Sequence, residues 1–468
     1  MRRITRELGW VFWCMGMTMT LPAQAADLDE AILKLLEEDE PPRRTEPAIP
    51  APIPKARAPV ARPREVVSTL VPTTGTLTLA EAERMAQEND AMFKALREKA
   101  GALGEESAAV AARLGDLNLK FGIREYPTRS TSAMEDTIKM VVGVEQAVMP
   151  SQRRAHESAQ LELMGQSQSA RAAQQKLLAL RETRKAWLNV FLQHHTAILV
   201  RQTQKLLGQL LQISQNQYRS GSGNQSDVLQ AQIESSLLKD KEVQVETARE
   251  VAMAELTRWL GTSVEKRPLA MDSIDLPVVP DLARIEQGLE QSPLLQIMKF
   301  EADAAKEGVE VARVRAKPEW MWEFETMWSY SKGAGVESEA VAALVTVGVP
   351  FGRVNLQDRW LAGSEKDYNS AVFLVADQRR DLKRMLDQEA VNAKRIGERT
   401  TFYREVILPQ AAQNAQAALR AYQAQVADFS QLMRARQQEL DSKLEALRLL
   451  VEGALVQVNL LYLSGDGV

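Results

Sequence analysis

The chain of 468 residues is poor in several things: it has one cysteine, three histidines, 5% aromatic residues and a formal charge of only −4. Each scarcity excludes something. Cys14 lies in an N-terminal segment built like a secretory signal, with Arg2, Arg3 and Arg6 first, Trp10 to Leu21 as the apolar part, and Ala23-Gln24-Ala25 before Ala26. It follows Val11-Phe12-Trp13 rather than small residues, so it does not read as a lipid anchor. Removal of residues 1–25 leaves an exported chain with no thiol for a disulfide, a nucleophile or a metal site. The near-neutral charge carries no footprint for nucleic acid. No uninterrupted apolar run reaches 18 residues, and a conventional transmembrane helix is therefore not expected.

Chemical motifs are scarce as well. Nothing resembles a nucleophile elbow, a phosphate loop or a zinc motif, and Gly221-Ser222-Gly223 follows a helix rather than a strand. His194 and His195 are adjacent, which on a helix points them about 100° apart and argues against a shared metal. Trp187, Phe191 and Ile198 read as helix-packing residues. No cofactor, metal or enzymatic activity is expected.

What the chain does have is concentrated. Five of its aromatics fall between Glu319 and Tyr330, where Trp320, Trp322, Phe324, Thr326 and Trp328 share one face of an extended strand. Met321, Glu323, Glu325 and Met327 share the other. About ten residues of apolar-out, polar-in alternation suit a transmembrane β-strand, and equally one face of a sandwich core. The same period appears at Leu117, Leu119, Phe121 and Ile123, at Ile138, Met140, Val142, Val144 and Val148, and at Val341 to Val349. The apolar face predicts Trp320, Trp322, Phe324 and Trp328 as lipid-facing anchors, while Lys120, Arg124, Lys139, Glu145, Glu323 and Glu325 face a wet interior.

Taken in order, residues 26–76 hold an acidic amphipathic stretch, Asp27 to Glu40, and then Pro41 to Pro72, a proline-rich segment with basic residues that reads as a tether or a docking peptide. Order begins at Thr78, which caps a helix with Glu81 three residues on, and the helical pattern runs to about Leu114. A first unit, 77–265, continues with two strands, a helix from Ser151 to Tyr218, and another from Ser226 to Leu260. No proline interrupts Ser151 to Pro268, and such a helix, about 100 Å long, survives only in coiled-coil or tube packing. After a linker, 266–285, a second unit, 286–468, repeats the plan: a helix from Leu294 to Arg315, two strands, a long helix to Tyr422, and a last helix from Asp428 to Leu463. Tyr218 and Tyr422 are 204 residues apart, as are Gly261 and Gly465, which indicates an internal duplication. Four strands cannot close a barrel, and open sheet edges are not tolerated in lipid. Several chains must therefore close one barrel together; three would give twelve strands.

Leu79-x-x-Ala82 with Asn89 following, Tyr218-x-x-Gly221 leading to Asp227-Val228-Leu229-x-Ala231, and the duplicated helix–strand–strand–helix–helix plan resemble the TolC-type outer-membrane efflux protein family over residues 77 to 465. The resemblance implies an α+β membrane channel. Three chains of four strands each would complete a twelve-stranded outer-membrane β-barrel, continued by a periplasmic tube of long helices. It implies a homotrimer in contact with outer-membrane lipid, a periplasmic adaptor and an inner-membrane pump, exporting small molecules or metal ions. It also implies a periplasmic gate, with Tyr422 as the gate tyrosine, Asp227 as its first-repeat partner, and Asp428, Gln431 and Arg434 around the entrance. Gln431 and Arg434 stand where relatives can carry aspartates, and Gln425 replaces the expected glycine. Arg434 either repels cations at the axis or is solvated away from it. Two further readings stay open: a duct for type I protein secretion, and a periplasmic coiled-coil scaffold.

Overall fold

Strands and helices follow one another as the periodicity predicts, with breaks that it does not. The computed structural model describes residues 75–124, 137–261, 267–315, 317–331, 335–349 and 354–465. The signal segment 1–25, the acidic stretch 27–40, the proline-rich stretch 41–72 and the polar turn around Tyr126-Pro127 lie outside the described residues.

Helix α1, Leu79–Asn89, starts as expected: the Thr78 hydroxyl accepts from the Glu81 N–H at 3.3 Å. The capping box is only half as expected, because the Glu81 carboxylate takes Arg267 at 3.0 and 3.1 Å. The predicted single helix to Leu114 is in fact two. Asp90 leaves the helical region and its carboxylate accepts from Met92 N–H at 2.8 Å and Phe93 N–H at 3.2 Å, capping α2, Ala91–Ala112. The second unit breaks likewise: α5, Leu282–Gly288, and a 3-10 turn, Leu289–Gln291, are followed by Ser292 and by Pro293 at the start of α6, Pro293–Val314. Helices α2 and α6 are each 22 residues long.

Each of these helices leads into a hairpin. Strands β1 (Leu117–Arg124), β2 (Thr137–Val148), β3 (Glu319–Ser331) and β4 (Gly335–Gly348) form one antiparallel sheet in the order β1-β2-β3-β4, with a bulge at Ser329/Tyr330. Among the described residues the edges β1 and β4 have no strand partner. Helix α3, Ser151–Arg219, runs 69 residues without a break, and α4, Gln225–Leu260, returns alongside it. In the second unit the predicted unbroken helix to Tyr422 is wrong. Helix α7, Val354–Phe402, passes into a π-helical segment, Tyr403–Ile407, before α8, Leu408–Gln423. Pro409 explains it: proline has no N–H to give the Glu405 carbonyl and its ring would strike that oxygen, so the chain widens by one turn ahead of it. The last helix, α9, Phe429–Ser464, is long and apolar enough to cross a bilayer by composition. Its heptad row shows what that composition serves: Leu440, Leu444, Val451, Ala454 and Val458 are buried in the helix layer.

Near the sheet the helices lie in the order α2–α3–α6–α7, repeating the order of the strands. Farther away the order is α4–α3–α9–α8. The main core forms where α1 crosses α3 and α4 and meets α9, around Leu79, Met85, Trp187, Leu188, Leu256 and Val458. Trp187 and Phe191 are buried there and Ile198 is half-buried. The inter-repeat linker is tied to this core by Leu77, whose N–H donates to the Pro268 carbonyl at 2.8 Å and whose carbonyl accepts from Ala270 at 2.9 Å.

Candidate functional site

Directly paired residues in an antiparallel sheet point to the same side, so the register sorts the side chains. One row reads Leu119, Val144, Phe324, Ala343, and the next Phe121, Val142, Thr326, Val341. Trp320, Trp322 and Trp328 belong to this same face. Its side chains stand open in the single chain; Phe121 is 74% exposed, and Trp320 and Phe324 are more than half exposed. A contiguous apolar surface of this size marks an interaction with something apolar.

The opposite face carries all six charged residues predicted for a wet interior. Lys120 shares a row with Gly143, Glu325 and Ala342; Glu145 and Glu323 share the neighbouring row with Asn118; Arg124 and Lys139 share another with Ser329. The Lys120 ammonium pairs with Glu145 and, at 2.7 Å, with Glu323 across β2. Arg124 donates to both oxygens of Glu325 at 3.2 and 3.4 Å. Glu323 and Glu325 are about 200 residues from their cations in the chain, so sequence spacing held no sign of these two pairs.

At the far end of the helices, two turns stand 204 residues apart with one backbone pattern. In the first, Ser220 N–H donates to the Asn216 carbonyl, Gly221 to Tyr218, and Ser222 and Gly223 to Gln217. In the second, Ala424 donates to Arg420, Gln425 to Tyr422, and Val426 and Ala427 to Ala421. Gly221 has φ +73°, and Gln425 in the matching place has φ +59°, in the left-handed region that disfavours a side chain.

The side chains differ. Tyr422 is buried, its ring meeting Phe429 edge-on at 5.4 Å, and its phenol donates to Gln217 Oε1 at 2.7 Å. The resemblance implies Asp227 as that partner; the hydrogen-bond acceptor is instead Gln217, in the last turn of α3. Asp227 is close enough to act by its charge: burial and then Asp227 raise the Tyr422 phenol above its ordinary pKa. Asp227 itself is pushed up from the usual carboxylate value, by burial first and by Asp428 second. Ser430 donates to Gln230 Oε1 at 2.9 Å. Asp428, Gln431 and Arg434 are exposed, and Arg434 makes no ion pair among the described residues. Phe429, Ser430, Gln217 and Gln230 were not singled out from the sequence; the 204-residue offset that maps Tyr422 onto Tyr218, next to Gln217, was the available signal.

Among the described residues no group of three or more His, Cys, Asp or Glu could hold a metal. His156 Nδ1 lies 2.7 Å from Glu307, and His195 Nε2 lies 2.8 Å from the Met271 carbonyl, both between packed elements.

This architecture matches solved structures. CusC, described as forming a transmembrane channel, aligns with a TM-score of 0.71 at 14% identity over 91% of this chain and 99% of its own. The Campylobacter jejuni CmeC outer membrane channel aligns with a TM-score of 0.71 at 12% identity, covering 90% of this chain and 94% of its own. This chain has the outer-membrane-channel fold. The outer membrane protein VceC from Vibrio cholerae shares it with a TM-score of 0.68 at 14% identity, over 83% of this chain and 96% of VceC. No protein-family model matches the sequence, and no curated protein does.

Proposed function

We propose that the chain is one protomer of a trimeric outer-membrane channel that serves as the exit duct of a tripartite efflux system. One observation carries the reading: among the described residues the sheet and the helix layer each end in two unpartnered edges. In the sheet these are β1 and β4, and in the distal helices α4 and α8. Helix α4 presents Leu229, Ile233 and Leu237 at a spacing of four, all at least half exposed, and α7 leading into α8 presents Val391 and Phe402. An unpaired strand edge in lipid costs several kcal/mol per backbone group. Rotation of identical copies about one axis joins β1 to the next β4 and α4 to the next α8 at once, and three copies supply twelve strands.

In that assembly Trp320, Trp322, Phe324 and Trp328 are lipid-facing anchors of the outer membrane, and the Lys120 and Arg124 ion pairs line the lumen. The helical tube lies in the periplasm, where an adaptor and an inner-membrane pump engage it. Its entrance is at the two turns, latched by Tyr422 on Gln217, with Asp227, Asp428, Gln431 and Arg434 around it. The matching turns at offset 204 and the paired 22-residue helices support an internal duplication as the origin of the two units. Metal ions and small organic molecules are the solute classes the reading allows.

Purified full-length chain added to planar lipid bilayers tests this. The reading expects discrete, long-lived conductance steps from detergent-solubilised trimers. Absence of steps from protein shown to be folded and membrane-inserted rejects a channel.

A further inference from the structure

We infer that the polar face of the sheet is a charge-neutral wall clamped by its own ion pairs, so that the barrel exerts no net field on a passing ion, and that Lys120 maintains that neutrality. The inference rests on the channel reading above and names what the wall does to solutes.

Three cations, Lys120, Arg124 and Lys139, and four anions, Glu145, Glu323, Glu325 and the terminal Glu319, share this face among the described strand residues, and Arg153 of α3 supplies the fourth cation. At the sheet end Glu319 is answered by Arg153 at 2.8 Å. Lys120 bridges Glu145 on β2 and Glu323 on β3, so one ammonium serves two carboxylates. Glu325 is only 5% exposed and is held by Arg124. Gly143 makes room for it: a Cβ there would come within 2.9 Å of the Glu325 Cβ and of the Phe324 carbonyl. A carboxylate so enclosed is tolerable only with its cation in place.

Opposite charges within hydrogen-bond distance cancel at ranges well below the Debye length of about 8–10 Å. A lumen lined by three such faces is wet and polar, yet favours neither sign. Without Lys120 each chain exposes unanswered carboxylates, and three copies make a ring of one sign, which concentrates counter-ions by at least about tenfold. Ion discrimination in the intact duct then falls to the entrance turns.

Ala342 gives the test a local reporter, since it lies on the same row as Lys120, Gly143 and Glu325 and is half-exposed. In a Cys14→Ser background, Ala342→Cys in the assembled full chain is reacted with a cationic and an anionic methanethiosulfonate, each rate normalised to that of a free small thiol. The expected cation-to-anion ratio lies within about threefold of unity. Lys120→Met shifts it toward the cation by at least about tenfold, and Glu323→Gln, which leaves Lys120 on Glu145, shifts it the other way. A ratio already biased tenfold in the intact wall, or one that Lys120→Met leaves unchanged, overturns the inference while leaving the channel standing. If Lys120→Met does not assemble, the Glu323→Gln shift decides alone, its absence overturning the proposal. Reaction with neither reagent shows a dry face and removes the channel reading itself.

Discussion

The two helix-tip turns share four backbone hydrogen bonds and differ in what their side chains do. Tyr218 is 48% exposed and Tyr422 is 6% exposed, although the same turn follows each. Phe429 is fully buried, while its counterpart 204 residues earlier, Gln225, is exposed. Asn224 caps α4 through its side chain, accepting from Ser226 N–H at 3.4 Å, while Asp428 in the matching place makes no such bond. The matching backbone therefore does not fix the side-chain packing: only the second turn buries a tyrosine and a phenylalanine. The first turn has a glycine in the left-handed region; the second holds Gln425 there, close to the buried Tyr422.

That contrast can be broken residue by residue, with hydrogen exchange of the amides flanking each turn as the readout. Phe429→Ala has the largest expected effect. It empties a site among Leu210, Leu432 and Tyr422, and should lower the local stability of the second tip by about 3–5 kcal/mol. Gln225→Ala should stay within about 0.5 kcal/mol, and equal effects at the two positions would erase the asymmetry. Next comes Tyr422→Phe, which removes the bond to Gln217 and should speed exchange around residues 424–434 by roughly five- to tenfold, about 1 kcal/mol. Tyr218→Phe is the control and should change nothing.

Gln425→Gly should slow exchange at the second tip, relieving a left-handed side chain by about 1 kcal/mol, whereas Gly221→Gln should cost the first tip a similar amount. A loss of protection with Gln425→Gly would show that the glutamine side chain holds the turn. The smallest effect belongs to Asp227. Its packed-state pKa is raised, so the packed tip binds the proton more tightly than the opened one. The packed tip is therefore most stable at or below the ordinary carboxylate pKa and weakens as pH rises through the window just above it. Asp227→Asn should abolish that pH dependence and protect the tip slightly at neutral pH; an unchanged profile would move the dependence elsewhere.

Strand faces were legible in the sequence because period-two alternation leaves one consistent choice of side once neighbouring strands agree. Trp320 to Trp328 and Glu323 to Glu325 fell where the alternation put them. The helix breaks were less legible, although Asp90 and Pro409 were visible. Apolar periodicity ran straight through both, and only the local geometry shows that Asp90 caps a new helix and that Pro409 is absorbed by a π turn. Least legible were contacts between distant segments. The bridges from Lys120 to Glu323 and from Arg124 to Glu325 depend on strand register and on the gap at Gly143. The hydrogen-bond partner of Tyr422 lies on α3, whereas the motif points to Asp227 on α4.

In the proposed trimer β1 pairs with the next β4 and α4 with the next α8, so the mass of the assembled particle is decisive. Light scattering of the full chain purified in detergent, corrected for bound detergent, should give three chains per particle, with aggregation once detergent is withdrawn. A monodisperse single chain that stays soluble in detergent-free buffer would contradict it, because β1, β4, α4 and α8 would then need no partner.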